Sequence, residues 1–225
     1  MHTSLEKLNL ITNKVNEIIK KKQLKTKPQI IVITKKFSLD KIKPIINSGH
    51  LHYGENQIQE AELKWSEEKK HNNKIQLHMV GKLQSNKAKK ALKLFDYIHS
   101  LDNAKLASKI ALHEKELNKK TKLFIQINLG EESQKSGIVL KDVNNFYNYC
   151  TKDLSLNIIG LMCLPPFQSN SDDYFKLLKS VSLKLSLKNL SMGMSSDFDS
   201  AVKYGSTFLR LGTAVMGERN PISQL

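Results

Sequence analysis

The sequence lacks the features that mark membrane-spanning, secreted and metal-bound proteins. No apolar run approaches the ~20 residues that a membrane-spanning helix requires, which excludes such a helix. The first residues, Met1 to Lys7, lack the charged and apolar regions of a secretory signal. The two cysteines, Cys150 and Cys163, have neither the spacing of a metal site nor the number needed for a disulfide framework. These absences predict a protein of the reducing cytoplasm with no membrane segment.

Arginine is also scarce, although the chain is strongly basic. Lys and Arg total 36 against 21 Asp and Glu, a formal charge of +15, yet Arg210 and Arg219 are the only arginines. Arginine is the side chain best suited to bidentate phosphate or base contacts, and nucleic-acid surfaces usually cluster it with lysine and aromatic residues. Here the lysines are spread from Lys7 to Lys203. The charge therefore favours a solvated lysine-rich surface over a nucleic-acid-binding face.

The chain does contain enough apolar residues to bury a sizeable core. It has 225 residues, of which 40% are hydrophobic, and its mean hydropathy is −0.39. This composition predicts a soluble globular protein rather than a disordered one. No linker or low-complexity segment interrupts it, so residues 1–225 are predicted to form a single domain.

Short apolar runs alternate with amphipathic segments along the chain. A leading helix is predicted over 5–22, followed by a β-branched strand over 29–34 and a helix over 41–47 that ends at Gly49. Further strands are predicted at 51–53, 75–80, 97–99, 122–128, 157–162, 190–192 and 207–211. Further helices are predicted at about 55–69, 85–94, 102–117, 139–150, 171–187 and 197–203. Eight strands alternating with helices indicate a parallel α/β protein, and at this length a (β/α)8 TIM-type barrel is the economical closed solution, with an open doubly wound sheet as the alternative.

The last two strand ends carry small and hydroxyl residues suited to an anion. In a barrel, ligands bind beyond the carboxyl ends of the strands, and a phosphate site is often built after strands 7 and 8. The segments 193–195 (Gly, Met, Ser) and 212–213 (Gly, Thr) offer unhindered backbone N–H groups and hydroxyls at these ends. Each segment alone is equally consistent with an ordinary turn or helix cap, but the pair on neighbouring strands favours a phosphate-bearing ligand.

Lys35, at the end of the first strand, adds a nucleophile to this phosphate site. A lysine at a strand end is usually a solvated charge, yet within a barrel mouth it can be kept partly neutral, as Schiff-base formation requires. A lysine at the first strand and a phosphate site at the last two describe one kind of ligand, a phosphorylated aldehyde.

These residues resemble those of the pyridoxal phosphate homeostasis proteins, single-domain relatives of the alanine racemase barrel. The resemblance extends from about residue 5 to residue 219. It rests on segments in matching order and spacing, namely 31–35, 53–56, 78–87, 128–132 with Lys135 and Gly137, 160–162, 190–195 with Asp197, and 210–213 with Gly217.

The resemblance implies pyridoxal 5′-phosphate as cofactor and assigns roles to the matching residues. Lys35 would form the Schiff base with the cofactor aldehyde, and Arg210 would face the pyridine nitrogen. The cofactor phosphate would be held by the residues of the last two strand ends, Met194, Ser195, Gly212 and Thr213. Asn56 would line the ring or its hydroxyl, with His78 and Met162 nearby.

The chain departs from the family pattern beside the predicted Schiff-base lysine. The family commonly has a second lysine two residues further on, where this chain has Phe37. In addition, Lys36 competes with Lys35 as the residue that forms the Schiff base. The ungapped spacing to 53–56 selects Lys35, and strand alternation would direct Lys36 to the opposite face.

The resemblance implies a cofactor carrier or buffer, a monomer that supplies cytoplasmic apo-enzymes, rather than an enzyme. An arginine cannot give up its proton, so the pyridine ring would be a weaker electron sink than one paired with a carboxylate. The racemase relatives share this feature but complete the site with a second domain and a partner subunit. The alternative is a cofactor-dependent amino-acid racemase or lyase, which needs a base opposite Lys35; the candidates are Tyr53, His78 and Cys163.

Overall fold

The computed structural model describes residues 3–130, 132, 134–166 and 169–218. The α-helices are α1 (Ser4–Lys22), α2 (Leu39–Asn47), α3 (Ile58–His71), α4 (Ala88–Leu94), α5 (Ala104–Leu117), α6 (Val143–Asn148), α7 (Ser171–Lys184), α8 (Phe198–Lys203) and α9 (Thr213–Met216). The strands are β1 (Gln29–Ile33), β2 (His52–Glu55), β3 (Gln76–Met79), β4 (Tyr97–Leu101), β5 (Lys122–Asn128), β6 (Ile138–Val139), β7 (Ile158–Cys163), β8 (Asn189–Ser191) and β9 (Phe208–Leu211). Arg219, Glu131 of the segment 128–132, and both ends of the predicted domain (1–2 and 219–225) lie outside the described residues.

Eight parallel strands close into a barrel. They pair in the order β1, β2, β3, β4, β5, β7, β8 and β9, and β9 pairs with β1 again, with Ile31 opposite Arg210. The two-residue strand β6 lies beside the end of β5, where Ile127 faces Ile138. The predicted TIM-type barrel with an extra N-terminal helix is therefore confirmed, and the open-sheet alternative is wrong.

Each strand divides its side chains between the barrel interior and the shell of helices, because successive residues point to opposite faces. Ile31 and Ile33 of β1 lie inside the barrel with Phe124, Met162 and Phe208. Ile30 and Val32 of the same strand belong to the larger core beneath the helices. The β-branched run of β1 is thus buried on both faces, as the sequence predicts.

Helix α1 packs on the outside of the barrel against α2, α8 and α9. Its N-terminus carries a capping box, in which the Thr3 hydroxyl accepts from the Glu6 N–H and the Glu6 carboxylate accepts from the Thr3 N–H. Its apolar stripe, Leu8, Ile11 and Val15, is buried, and the helix contacts α8 and α9. Within the described residues, no helix combines the length and apolar character that crossing a membrane requires.

Several predicted boundaries are wrong. The helix predicted from 55 begins at Ile58, because Glu55 is the last residue of β2 and is fully buried. The helix predicted over 139–150 is a composite of β6, a 3-10 turn, α6 and a π-helical turn over Tyr149–Asp153. The helix predicted over 171–187 ends at Lys184, and Ser186 follows it with a φ of 55°, in the left-handed region.

Candidate functional site

A tight turn after β1 presents Lys35. The Phe37 N–H donates to the Thr34 carbonyl over 3.1 Å, and Lys36 has a φ of 64°, in the left-handed region. Lys35 is half-buried, Lys36 is exposed and Phe37 is buried. The two lysines are therefore separated by a turn. The predicted reason, strand alternation, is wrong because β1 ends at Ile33.

A buried ion pair holds this turn against α3. Glu55 Oε1 accepts from the Thr34 hydroxyl (2.6 Å), Lys64 Nζ (2.8 Å) and Trp65 Nε1 (3.0 Å). Lys64 Nζ also donates to the Thr34 carbonyl at 2.8 Å and to Glu60 Oε1 at 2.9 Å.

Glu60 Oε1 in turn accepts from the Lys36 N–H. The backbone on both sides of Lys35 is thus anchored to one helix. The sequence reasoning missed Lys64, whose spacing of four residues from Glu60 was the available signal.

Arg210 lies on β9 at the floor of the barrel mouth, and its side chain is buried. One terminal nitrogen donates to the Ser191 hydroxyl over 2.7 Å and the other to the Cys163 carbonyl over 2.9 Å. Burial lowers the pKa of the guanidinium, and nearby Cys163 and Asp197 oppose this shift. An arginine stays protonated in proteins. Because both hydrogen-bond partners are uncharged, they do not neutralise the positive charge of Arg210 beneath the mouth.

The ends of β8 and β9 bring hydrogen-bond donors together. The Ser195 hydroxyl accepts from the Ala214 N–H over 3.1 Å and so ties the two loops to each other. Within the described residues, the N–H groups of Ser195, Ser196 and Thr213 donate to no protein acceptor. The Met194 N–H, by contrast, donates to Asp197 Oδ1 over 2.6 Å and already has an acceptor. Unpaired N–H groups beside two hydroxyls form a site suited to an anion.

A cavity of about 410 Å³ lies above these groups, a volume typical of small-molecule sites. Its lining includes most of the predicted binding residues, namely Lys35, Asn56, Met194, Ser195, Arg210, Gly212 and Thr213. Ile33, Val80, Leu164 and Ser196 complete the described lining. The structure therefore brings a lysine, an arginine and the anion-suited donors to one cavity.

His78 and Met162, the other two predicted binding residues, do not line this cavity. Both are fully buried inside the barrel. His78 lies two hydrogen bonds away from Ser191, through His99. Contact of either residue with a cofactor stays a prediction.

A second cavity of about 380 Å³ adjoins the first and shares Asn56, Val80 and Leu164 with it. Its lining adds Lys82 and Lys135, and Lys135 pairs with Glu132 at 2.7 Å. The barrel mouth therefore extends beyond the first cavity.

The residues considered as an opposing base lie away from the cavity lining. Tyr53 is buried against Trp65, donates its hydroxyl to the His50 carbonyl and has a pKa raised by burial. Burial raises the pKa of the Cys163 thiol to about 12 and holds the pKa of His78 well below its usual value.

Comparison with known proteins shows the family to which this chain belongs. The family model described as the alanine racemase N-terminal domain matches residues 9–220. A pyridoxal phosphate homeostasis protein of Aquifex aeolicus is 34% identical over 187 residues, which cover 79% of this chain and 81% of that protein. The chain belongs to the pyridoxal phosphate homeostasis proteins of the alanine racemase N-terminal domain family. The resemblance predicted from the sequence is thus confirmed.

Two further relatives extend the comparison. A pyridoxal phosphate homeostasis protein of Synechocystis is 34% identical over 200 residues, covering 85% of this chain and 91% of that protein. The solved structure of PipY from Synechococcus elongatus, with pyridoxal phosphate bound, is 31% identical. It superposes with a TM-score of 0.79 and covers 90% of this chain and 100% of that one.

Proposed function

We propose that this protein binds pyridoxal 5′-phosphate in the 410 Å³ cavity through a Schiff base on Lys35. We further propose that it serves intracellular cofactor homeostasis, as a monomeric buffer or carrier that supplies cofactor-dependent apo-enzymes without turnover of its own. The observation that carries the proposal is the convergence of Lys35, Arg210 and the anion-suited donors on one cavity.

The donor set suits the three polar parts of this cofactor. An amine is available for the aldehyde, a guanidinium for the pyridine nitrogen, and the hydroxyls of Ser195 and Thr213 with neighbouring N–H groups for the phosphate. Ile33, Val80 and Leu164 supply apolar surface for the ring faces. Bound pyridoxal phosphate would supply an aldehyde for imine exchange and a ring that withdraws electrons.

The surroundings of the cavity favour a carrier over a racemase or lyase. Among its described lining residues, Lys35 is the one side chain with an amine, and none carries a carboxylate, imidazole, thiol or phenol that could serve as a second base. Tyr53, His78 and Cys163 are buried elsewhere, and their pKa values disfavour base catalysis.

Amino-acid exchange in deuterated water tests the absence of turnover. The protein loaded with pyridoxal phosphate is incubated with L-alanine, and α-deuterium incorporation is followed by NMR. We expect exchange no faster than that given by free pyridoxal phosphate at the same concentration, because the described residues that line the cavity include no second base beside Lys35. Exchange at enzymatic rates would overturn the carrier assignment and favour the racemase alternative.

Gly212 provides a test of the phosphate end of the cavity. Among the described residues, a Cβ atom at Gly212 would come within 4 Å of the Ile33 Cβ alone, at 3.7 Å, and the φ of −101° lies outside the left-handed region. The apo-protein should therefore tolerate an alanine at this position. Because Gly212 and Ile33 both line the cavity, the added methyl group would occupy space proposed for the cofactor phosphate. We expect Gly212→Ala to weaken pyridoxal phosphate binding about tenfold or more while the apo-protein keeps its folding free energy within about 1 kcal/mol.

Gly193→Ala is the matched comparison. A Cβ atom there would lie 2.5 Å from the Ala201 Cβ, and Gly193 has a φ of 93°. This variant should lose folding stability in urea denaturation. Spectroscopic cofactor titrations in which Gly212→Ala binds as tightly as the wild type would contradict the placement of the phosphate.

A further inference from the structure

A row of imidazoles crosses the interior of the barrel beneath the cavity. His52, His78 and His99 occupy the adjacent strands β2, β3 and β4. His52 Nδ1 lies 3.0 Å from His78 Nε2, His78 Nδ1 lies 2.9 Å from His99 Nε2, and His99 Nδ1 lies 2.8 Å from the Ser191 hydroxyl. Ser191 accepts from Arg210. One hydrogen-bonded chain therefore joins Arg210 to half-buried His52.

This hydrogen-bonded chain of side chains is unusual for the inside of a barrel, where branched apolar side chains normally fill the space. His78, His99 and Ser191 are fully buried. His78 stacks on Tyr97 with ring centres 4.2 Å apart, and His99 stacks on Phe124 at 4.3 Å. Burying polar rings costs free energy unless each polar atom has a partner. The chain supplies those partners, so the rings are fixed as a unit.

The environment of all three rings favours the neutral form near pH 7. Burial holds the pKa values of His78 and His99 well below their usual value, with the charge of Arg210 lowering that of His99 further. Burial and the nearby charges of His50 and Lys122 lower the pKa of His52 to about 4. Each ring therefore carries one N–H and one acceptor nitrogen.

Arg210 sets the direction of the chain, because a guanidinium can only donate. The Ser191 oxygen accepts from Arg210, and its proton then goes to His99 Nδ1. His99 must donate from Nε2 to His78 Nδ1, and His78 from Nε2 to His52 Nδ1. In the opposite direction the Ser191 proton would have no acceptor among the described residues.

We propose that Ser191 and His99, supported by His78 and His52, are positioning residues for Arg210. In the direction derived above, the Ser191 hydroxyl and each imidazole have their acceptor atom, the negative end of the group dipole, on the side nearer the guanidinium. The chain stabilises the buried cation without neutralising it, whereas a carboxylate partner would cancel the charge. Arg210 is thereby held with its remaining N–H groups available to an acceptor in the cavity. This inference rests on the proposed function, in which that acceptor is the pyridine nitrogen.

The tautomers are tested in the apo-protein by NMR of ¹⁵N-labelled histidine at pH 7. We expect His52, His78 and His99 to be neutral with the proton on Nε2. A proton on Nδ1 of His99, or a charged ring at His78 or His99, would overturn the chain. This measurement needs no cofactor, so it stands even if the proposed function fails.

The positioning role is tested in the protein loaded with pyridoxal phosphate. We expect Ser191→Ala to weaken binding at least about tenfold, the size of one hydrogen bond to a charged group, and to shift the visible absorbance maximum. His99→Leu should do the same, and His99→Gln, which can both accept and donate, should restore part of the loss. Ser100→Ala is the matched control, since the buried Ser100 hydroxyl has no hydrogen-bond partner among the described residues.

The outcomes separate the two proposals. If the wild type fails to bind pyridoxal phosphate, the proposed function is wrong, and the NMR result alone then tests the proposed direction of the hydrogen-bonded histidine chain. If the wild type binds and both Ser191→Ala and His99→Leu match it in affinity and absorbance, the positioning role is wrong. Denaturation in urea identifies a variant that has merely lost its fold.

Discussion

Lys64→Met is expected to lower the free energy of unfolding by about 3–5 kcal/mol, the usual effect of removing one partner from a buried ion pair. The Lys64 side chain is 7% exposed and that of Glu55 is fully buried. Without Lys64, Glu55 keeps the Thr34 and Trp65 donors alone among the described residues for its buried charge, and the Thr34 carbonyl loses a donor. Urea denaturation of the apo-protein measures the change.

Two further variants make this test specific. Lys70→Met removes an exposed lysine from the same helix, where Lys70 pairs with Glu67 at 70% and 71% side-chain exposure, and should change stability by less than about 0.5 kcal/mol. Adding Glu55→Gln to Lys64→Met removes the orphaned charge and should recover part of the loss. A loss below about 1 kcal/mol for Lys64→Met would show that the pair does not anchor the Lys35 turn.

The barrel could be predicted from the sequence because its strands are short apolar runs. The run at β1 is buried on both faces, which only a sheet covered on both sides produces. The boundaries that were missed involve tertiary contacts. The sequence pattern predicts a helix that starts at Glu55. The burial of Glu55 at the end of β2 depends instead on Lys64 and Trp65, which lie on α3.

The cavity residues could be predicted because they follow strand ends, where a parallel barrel gathers its ligand-binding groups. Lys35 and Arg210 stand 175 positions apart in the sequence (210 minus 35) and line one cavity. The conformation that separates Lys35 from Lys36 could not be predicted, since a left-handed lysine has no sequence signature. The histidine chain was missed although His78 and His99 occupy inward positions on neighbouring strands, because their alignment depends on the strand register.

Of the 36 basic residues, Lys35 is the one proposed to form the Schiff base. It is half-buried in the cavity lining, whereas Lys36 is exposed and its N–H is bound to Glu60. We therefore expect Lys35→Ala to abolish the visible Schiff-base absorbance and to weaken pyridoxal phosphate binding by about a hundredfold or more. Lys36→Ala, the matched control, should keep both.

Borohydride reduction of the wild-type protein loaded with pyridoxal phosphate, followed by peptide mapping, tests this claim most directly. Reduction converts a Schiff base into a stable amine, so mass spectrometry locates the modified lysine. We expect loss of the visible absorbance and a pyridoxyl group on Lys35. A pyridoxyl group on Lys36 or another lysine, with Lys35 unmodified, would contradict it.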